Sequence, residues 1–253
     1  MQEIWRERTE HHELRVLETG YAEGRQGRYR VLQFADEAEQ GVLDLDDPER
    51  VVLAYPRVLI ELLDGRQERL SDLYMIGHGI GTIAGYYARR SAIRLRTAEL
   101  DARLAALSRE MFGYDGPEPE IGDGRELLGR LEPASLDAVL VDAFSAQGTP
   151  RRLTSLPFFE LARRQLRGGG LLLMNLAGRK RGDWLMQAIH TTVATCFDRT
   201  LVLAPEHAAA DEVTNLVLAA SDDLIAYRPS GKTGFRPVEL PPGHLIYDAQ
   251  DDR

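Results

Sequence analysis

Hydrophobic and polar positions follow two different patterns along this chain of 253 residues. In the first part, short runs at 14–17, 29–34 and 41–45 alternate between apolar and polar residues, with glycine-rich or acidic turns between them. Such runs are typical of antiparallel β-hairpins. From Tyr55 onward, apolar runs of strand length alternate with longer stretches of helical periodicity. The two patterns predict a hairpin segment followed by a larger α/β segment.

The α/β segment divides into alternating predicted helices and strands. Helices are predicted at 55–63, 82–90, 101–111, 124–131, 155–166 and 183–196, and strands at 72–76, 93–98, 118–121, 136–141, 170–175, 199–203 and 213–219. Alternation of this kind implies a doubly wound sheet with right-handed crossovers. No helix of normal length separates the last two strands, so we expect them to form an antiparallel pair at one edge. The predicted fold is therefore a Rossmann-like seven-stranded sheet of the S-adenosylmethionine-dependent methyltransferase type.

These patterns also predict the division of the chain. Residues 1–55 are expected to form a small β-hairpin domain, and residues 56–227 a nucleoside-binding Rossmann-like domain. Residues 228–253 are rich in proline and lack periodicity, which predicts an extended surface tail.

Composition narrows the classes of function. A formal net charge of -9 argues against nucleic acid and anionic membranes as partners, and is compatible with a small cationic amine or simply with a soluble acidic surface. No apolar stretch reaches the length of about 18 residues that a membrane-spanning helix needs. The N-terminal residues lack the apolar core of a secretory signal, so we expect a cytoplasmic protein. The only cysteine, Cys196, excludes an internal disulfide and is interpreted as a core residue.

A glycine turn is the most informative feature of the sequence. Gly77, Gly79 and Gly81 follow a predicted strand and precede a predicted helix, and Glu99 comes 22 residues after the first of them. Glycines allow a ligand to approach the backbone closely, and an acid at about this distance can accept hydrogen bonds from ribose hydroxyls. The third glycine is displaced from the spacing of dinucleotide-binding enzymes. The spacing therefore favours a single nucleoside, such as an adenosyl sulfonium, over NAD.

Two further acids follow predicted strands. Asp123, next to Gly124, could accept a hydrogen bond from the exocyclic amine of adenine, or could simply cap the next helix. Asp142 ends a strand of four apolar residues, where a buried charge is costly without a partner, so we assign it a functional role. His78 in the glycine turn either approaches the ligand or is an exposed turn residue. No histidine lies at a ligand spacing, and no metal site is predicted.

With these motifs in hand, the chain resembles the spermidine synthase (polyamine aminopropyltransferase) family from about residue 29 to residue 220. The resemblance rests on the glycine turn, Glu99-Leu100-Asp101, Asp123-Gly124 and residues 142–154 leading to Phe158-Phe159. The last segment looks like the family's flexible loop over the active site. An N-terminal β-hairpin domain ahead of the nucleoside-binding domain is also similar to the family's organisation.

The resemblance implies an activity. Members transfer the aminopropyl group of decarboxylated S-adenosylmethionine to putrescine and leave methylthioadenosine, without a metal. It implies that Glu99 holds the ribose hydroxyls, that Asp123 binds the adenine amine, and that Asp142 orients and deprotonates the attacking amine. The remaining implied nucleoside contacts are Gly77, Gly79, Gly81, Gly124 and Gln33. Tyr55, Ala143 and Ser145 are implied on the substrate side or in the gate loop, and a homodimer is expected.

Several positions depart from the family pattern. Ile80 stands where the glycine turn of the family carries an aspartate, and Ser145 replaces a second acid after Asp142. The Tyr-His-Glu of the domain junction appears as Tyr55-Pro56-Arg57. The residues that match the family's nucleoside contacts are retained, whereas several residues that match its contacts to the cationic amine are missing. We therefore expect a weakened affinity for putrescine, and the identity of the amine acceptor stays open.

Two alternative functions stay open. The first is a methyltransferase on the same fold, which must hold the methionine carboxylate of intact S-adenosylmethionine. Ile80 in place of an acid removes one obstacle to that carboxylate. The second is a scaffold that keeps the nucleoside-binding crevice without turnover.

Overall fold

A four-stranded antiparallel sheet forms the N-terminal part of the computed structural model, which describes residues 1–34, 39–90, 92–144, 148–228 and 233–249. Its strands lie in the order β1 (Gln2–Arg8), β2 (Glu13–Ala22), β3 (Arg25–Gln33) and β4 (Glu39–Asp44). The sequence pattern predicted the last three strands but missed β1. All side chains of β1 except that of Trp5 are exposed, so the strand carries no alternation of apolar and polar positions.

A second, larger sheet follows, with helices between its strands. The strands are β5 (Asp72–Ile76), β6 (Arg94–Glu99), β7 (Glu120–Ile121), β8 (Leu136–Val141), β9 (Leu166–Gly178), β10 (Arg199–Pro205), β11 (Thr214–Ser221) and β12 (Phe235–Pro237). The helices are α1 (Ala54–Asp64), α2 (Thr82–Ala88), α3 (Ala102–Phe112), α4 (Gly124–Gly129), α5 (Leu156–Gln165) and α6 (Trp184–Ala194). Among these helices of the described chain, none has both the length and the apolar character needed to cross a bilayer.

The strand order of the larger sheet is β12-β10-β11-β9-β8-β5-β6-β7. Strands β5 to β9 are parallel, whereas β10 and β11 form the predicted antiparallel pair. The predicted α/β fold is confirmed, and the three-residue strand β12 adds an eighth strand that its short pattern did not reveal. The chain moves outward from β5 to β6 and β7, then returns to place β8 on the other side of β5. Ligands of such sheets bind where the strand order reverses in this way.

Both faces of the parallel strands are buried. Along β8, Val139 and Val141 face one apolar layer, which includes residues of α4, α5 and α6, while Ala138 and Leu140 face the layer of α1 and α2. Helices on both faces explain why these strands read as continuous apolar runs rather than as alternating ones. Cys196 is buried, in agreement with its interpretation as a core residue.

Ile80 joins the small sheet to the larger one. Its side chain is 6% exposed and packs with Leu32, Phe34 and Leu107, which come from β3, the residue after it, and α3. Gly41 of β4 lies so close that a Cβ there would be 2.7 Å from Ile80 Cγ1. The position that the family resemblance would fill with an acid is therefore part of an apolar interface.

The C-terminal tail is extended, but it is held against the larger sheet at several points. Phe235 in β12 and Ile246 are buried, and the Ile246 carbonyl accepts a hydrogen bond from the Leu156 amide at 2.7 Å. The Asp248 carboxylate accepts two hydrogen bonds from the Arg125 guanidinium, at 2.8 and 2.7 Å. The tail thereby holds the segment that leads into α5.

Replacing Ile80 tests this interface. We expect Ile80→Asp to lower the free energy of unfolding by about 3 kcal/mol or more, because it buries a carboxylate without a partner. The matched control Ile80→Val should cost about 0.5–1.5 kcal/mol. Urea denaturation followed by circular dichroism measures both. Equal stability of the two variants would contradict the position of Ile80 in the core.

Candidate functional site

A cavity of about 610 Å³ opens at the carboxyl ends of β5, β6, β7 and β8, beside the point where the strand order reverses. Most of the residues predicted from the sequence line this one cavity: Tyr55, Gly77, Gly79, Glu99, Asp123, Gly124, Asp142 and Ala143. A surface cavity of about 670 Å³ lies elsewhere, against Arg66 and Asp223, and contains none of these residues. The predicted groups thus meet at the cavity where the topology of the sheet places ligands.

The glycine turn passes very close to the end of β8. Gly77 has a φ of 95°, and a Cβ on it would lie 2.1 Å from the Asp142 carbonyl oxygen. No other residue could occupy this position without separating β5 from β8. Gly81 has a different role from the predicted one. It does not line the cavity, and a Cβ there would lie 2.5 Å from the ring of Tyr114, so its contribution is close packing rather than ligand contact.

His78 is neither exposed nor part of the cavity lining, unlike both interpretations of the sequence. Its ring is buried, with Nε2 3.0 Å from the Ser108 hydroxyl and an edge-on contact to the Tyr114 ring at 4.6 Å. Burial lowers the pKa of His78 to about 4, so the ring is neutral at physiological pH. Only its backbone serves the site, because the His78 amide donates a hydrogen bond to Glu99.

Glu99 ends β6 and is 6% exposed. One carboxylate oxygen accepts the His78 amide and the other accepts the Asp101 amide, both at 2.9 Å. Burial raises the pKa of Glu99, and these backbone hydrogen bonds oppose the rise. The Gly79 amide adds a third backbone hydrogen bond to this carboxylate. The amides fix the carboxylate at the edge of the cavity and leave a lone pair that can accept from a hydroxyl group.

Asp123 both caps a helix and lines the cavity. Its Oδ1 accepts the amides of Arg125 and Glu126 at 2.9 and 3.0 Å, which satisfies the first turn of α4. Its Oδ2 lies 3.1 Å from the Arg152 guanidinium. The two interpretations of Asp123 are therefore compatible, since each uses a different oxygen. Arg152, which also lines the cavity, was not predicted as a site residue.

Asp142 is the most perturbed carboxyl group of the cavity. Burial raises its pKa to about 6, although two hydrogen bonds to the carboxylate oppose the shift. The Asn175 side-chain amide donates to Oδ1 at 2.9 Å, and the Tyr55 hydroxyl donates to Oδ2 at 3.4 Å. A half-buried acid with a pKa near neutrality in a cavity is typical of a group that exchanges protons during a reaction.

The small sheet supplies one wall of the cavity. His12 and Phe34 stack with ring centroids 4.1 Å apart, and both line the cavity. The Thr9 hydroxyl donates to Asp101 at 2.5 Å, which ties the turn between β1 and β2 to the residues after β6.

Besides Gly81, two predicted site residues have not yet been placed. Gln33 does not line the cavity, and its amide nitrogen lies 4.0 Å from the Met1 sulfur; Gln40 from β4 lines the cavity instead. Ser145 lies outside the described residues.

No family model matches the chain. Among curated proteins, spermidine synthase 1 from Hyoscyamus niger is 29% identical over 200 residues, which cover 74% of this chain and 62% of that protein. A polyamine aminopropyltransferase from Neisseria meningitidis is 27% identical over 177 residues, which cover 66% of this chain and 67% of that protein. The chain therefore spans less than two thirds of the length of several curated relatives that it matches.

Solved structures show the same fold. A probable spermidine synthase from Corynebacterium glutamicum superposes with a TM-score of 0.80 over 97% of this chain and 96% of that chain, at 20% identity. Spermidine synthase from Thermotoga maritima gives a TM-score of 0.69 over 89% of this chain and 74% of that chain, at 14% identity. Human methyltransferase-like protein 13 gives 0.55 over 66% of this chain and 81% of that chain, at 18% identity. The resemblance noted from the motifs is confirmed: the chain is similar in sequence to curated spermidine synthases and shares the fold of solved ones.

The raised pKa of Asp142 predicts a stability effect that depends on pH. Because the pKa is raised in the folded state, the stabilisation from this group is complete below about pH 4 and is lost as the pH rises through about 6. A shift of about two units corresponds to about 3 kcal/mol at neutral pH as an upper bound. Asp142→Asn should therefore raise the melting temperature at pH 7.5 relative to the unmodified protein, and raise it much less at pH 4. An equal decrease at both pH values in differential scanning fluorimetry would contradict this account.

Proposed function

We propose that this protein transfers the aminopropyl group of decarboxylated S-adenosylmethionine to a small amine, with Asp142 as the base. The observation that carries the proposal is the juxtaposition in one cavity of the glycine turn, the fixed carboxylate of Glu99 and the half-buried carboxyl of Asp142. The relatives named above, spermidine synthases and a polyamine aminopropyltransferase, support the same activity. So does a solved spermidine synthase in complex with the transition-state analogue AdoDATO, which shares the fold at 14% identity and a TM-score of 0.69.

The nucleoside half of the donor fits the end of the cavity formed by β5, β6 and β7. Glu99 would accept the two ribose hydroxyls, because its orientation is already fixed by backbone amides. Asp123 Oδ2 would accept the adenine amine beside Arg152. At Gly79 a Cβ would meet no atom within 4 Å, and this open space leaves room for the atoms around the sulfonium. Such pre-organisation lowers the entropy cost of binding the ligand.

The chemistry requires a base at the acceptor amine, since an ammonium has no lone pair with which to attack carbon. Asp142 accepts one proton from the acceptor ammonium, and the freed nitrogen lone pair attacks the aminopropyl carbon bonded to sulfur. The carbon–sulfur bond breaks with its electron pair moving to sulfur, which leaves the neutral thioether methylthioadenosine. With a pKa of about 6, Asp142 is mostly ionised at neutral pH. Because this pKa is close to neutral pH, the carboxyl can both accept and release a proton. Holding both substrates in one cavity supplies the proximity contribution.

The acceptor is proposed to differ from putrescine. Ile80 packs in the interface between the sheets and supplies no carboxylate to the cavity. A charge-assisted hydrogen bond to an ammonium contributes about 1.5–3 kcal/mol to binding. The loss of one acid therefore lowers the affinity for a diamine. Assembly as a homodimer and a cytoplasmic location belong to the same proposal, and the single buried Cys196 is compatible with a reducing compartment.

Calorimetric titration with methylthioadenosine, S-adenosylmethionine and its decarboxylated form tests the proposal, followed by turnover assays with putrescine and a panel of amines. We expect methylthioadenosine and the decarboxylated form to bind more tightly than S-adenosylmethionine, and an amine other than putrescine to be the better acceptor. A preference for intact S-adenosylmethionine would favour a methyltransferase. Tight binding of methylthioadenosine without turnover of any amine would favour a scaffold.

Two substitutions separate binding from proton transfer. Glu99→Gln should weaken methylthioadenosine binding about tenfold to a hundredfold, because a charge-assisted acceptor of the ribose hydroxyls is lost. Asp142→Asn should leave that affinity unchanged and lower turnover by about a hundredfold or more. Glu118→Gln, an exposed acid away from the cavity, is the matched control for Glu99. Weak nucleoside binding in the Asp142 variant with full binding in the Glu99 variant would overturn the assignment.

Turnover should also depend on pH in a defined direction. Asp142 must be ionised to accept the proton, so kcat/KM should fall about tenfold per pH unit below about pH 6. The acidic limb is measured under conditions in which the fold is shown to be intact. A flat profile between pH 5 and about pH 7 would contradict the role of Asp142 as the base.

A further inference from the structure

Asn175 is a polar residue in the middle of an apolar strand. It lies in β9 between Met174 and Leu176 and is completely buried. A buried amide is costly unless its polar atoms are hydrogen-bonded. A leucine of similar size would fit the apolar pattern of the strand, so the amide needs another reason to be there.

The register of the sheet brings this amide to the candidate base. Val141 of β8 is paired with Met174 of β9, so the next residues, Asp142 and Asn175, lie side by side where the two parallel strands continue. The Asn175 Nδ2 donates to Asp142 Oδ1 at 2.9 Å. The opposite oxygen of the carboxylate faces the Tyr55 hydroxyl of α1. The two contacts fix the rotation of the carboxylate about its bond to Cβ.

The other end of the amide is free for a second contact. Asn175 Oδ1 is buried and has no hydrogen-bond partner among the described residues. An amide has a donor and an acceptor in nearly the same shape, and turning it by half a rotation exchanges them. Asn175 can therefore donate to the ionised Asp142, and after such a turn it can accept the proton that Asp142 carries once protonated. Leucine could do neither, and aspartate would place a second negative charge beside the first.

We propose that Asn175 is a positioning residue for the proton transfer to Asp142, which rests on the function proposed above. The Asn175 Nδ2 donates a hydrogen bond to the ionised carboxylate and offsets part of the free-energy cost of its burial. Asp142 is therefore still a base at neutral pH. After the amine substrate has given up its proton, the Asn175 amide can turn so that its Oδ1 accepts a hydrogen bond from the protonated carboxyl of Asp142. Asn175 does not line the cavity, so it acts through Asp142 rather than on a substrate.

Of the ionisable groups near Asp142 in the described residues, only Tyr55 also supports its charged form. Tyr55 is the only one of them in direct contact among the described residues, and burial beside Asp142 raises the pKa of its hydroxyl, which keeps it neutral. The remaining charged or titratable residues that line the cavity are Glu10, His11, His12, Glu99, Asp123 and Arg152. Of these, Arg152 is the one permanent cation, and it pairs with Asp123 and Glu126 rather than with Asp142.

The test compares Asn175→Leu with the unmodified protein in two measurements. Carbon-13 NMR of the aspartate carboxyl groups gives the pKa of Asp142, whose signal is assigned by its loss in Asp142→Asn. The acidic limb of kcat/KM gives the pKa that governs turnover. We expect both to move upward by about one to two pH units in Asn175→Leu, because the variant loses a hydrogen bond to the charged form. Methylthioadenosine affinity should stay unchanged, since the nucleoside contacts lie on other strands.

Two further variants keep the test decisive. Asn175→Asp keeps the shape of the side chain and should raise the acidic limb further, because two neighbouring carboxyl groups cannot both be ionised easily. Asn215→Leu replaces an asparagine on the adjacent strand β11 and should leave both measurements unchanged. If Asn175→Leu does not fold, the isosteric Asn175→Asp variant carries the comparison.

The outcomes distinguish this inference from the proposed function. Turnover in the unmodified protein with unchanged pKa values in both Asn175 variants overturns the positioning role and leaves the aminopropyl transfer intact. A general loss of rate in these variants without movement of the acidic limb also overturns it, because a merely structural role would produce that result. Absence of turnover with any amine overturns the proposed function, and the role of Asn175 in it falls as well.

Discussion

The close passage of the Gly77 backbone against the Asp142 carbonyl is the constraint on which the site depends. The Asp142 amide donates to the Ile76 carbonyl at 2.8 Å, and the Gly77 amide donates to the Ala98 carbonyl at 2.9 Å, so the ends of β5, β6 and β8 are joined at one level. Any Cβ at Gly77 would meet the Asp142 carbonyl and force the strands apart. The absence of one side chain thus keeps the glycine turn, the ribose-facing acid and the candidate base around the same cavity.

The site holds its key charge at a cost to stability. Burial opposes ionisation of Asp142, and the Asn175 amide and the Tyr55 hydroxyl offset only part of that penalty, which leaves the pKa at about 6. The same property makes the carboxyl useful for proton transfer near neutral pH. At position 80 the balance is the opposite, because the residue there favours stability. An apolar residue there strengthens the packing between the two sheets, and the cavity gains no further acid.

Features set by local chemistry were predictable from the sequence, and features set by packing between distant segments were not. The glycine turn, Glu99 and Asp142 could be placed because strand ends of a parallel sheet meet at one edge. Strand β1 was missed because its side chains are exposed on both faces, and β12 because it is only three residues long. Gly81 contacts Tyr114, a residue distant in sequence, which no local pattern reveals. The lone polar residue Asn175 within an apolar strand was a usable signal, but its partner became evident only from the strand register.

In the proposed complex, one nucleoside lies between the glycine turn and the acids of three strand ends, with its sulfur toward Asp142. The decisive measurement is a crystal structure of the protein with methylthioadenosine. We expect the ribose hydroxyls on the Glu99 carboxylate, the adenine amine at Asp123 Oδ2, and the thioether sulfur on the side of the cavity that Asp142 lines. Density for the ligand in another cavity, or in this one with its ribose away from Glu99, would rule out this binding mode.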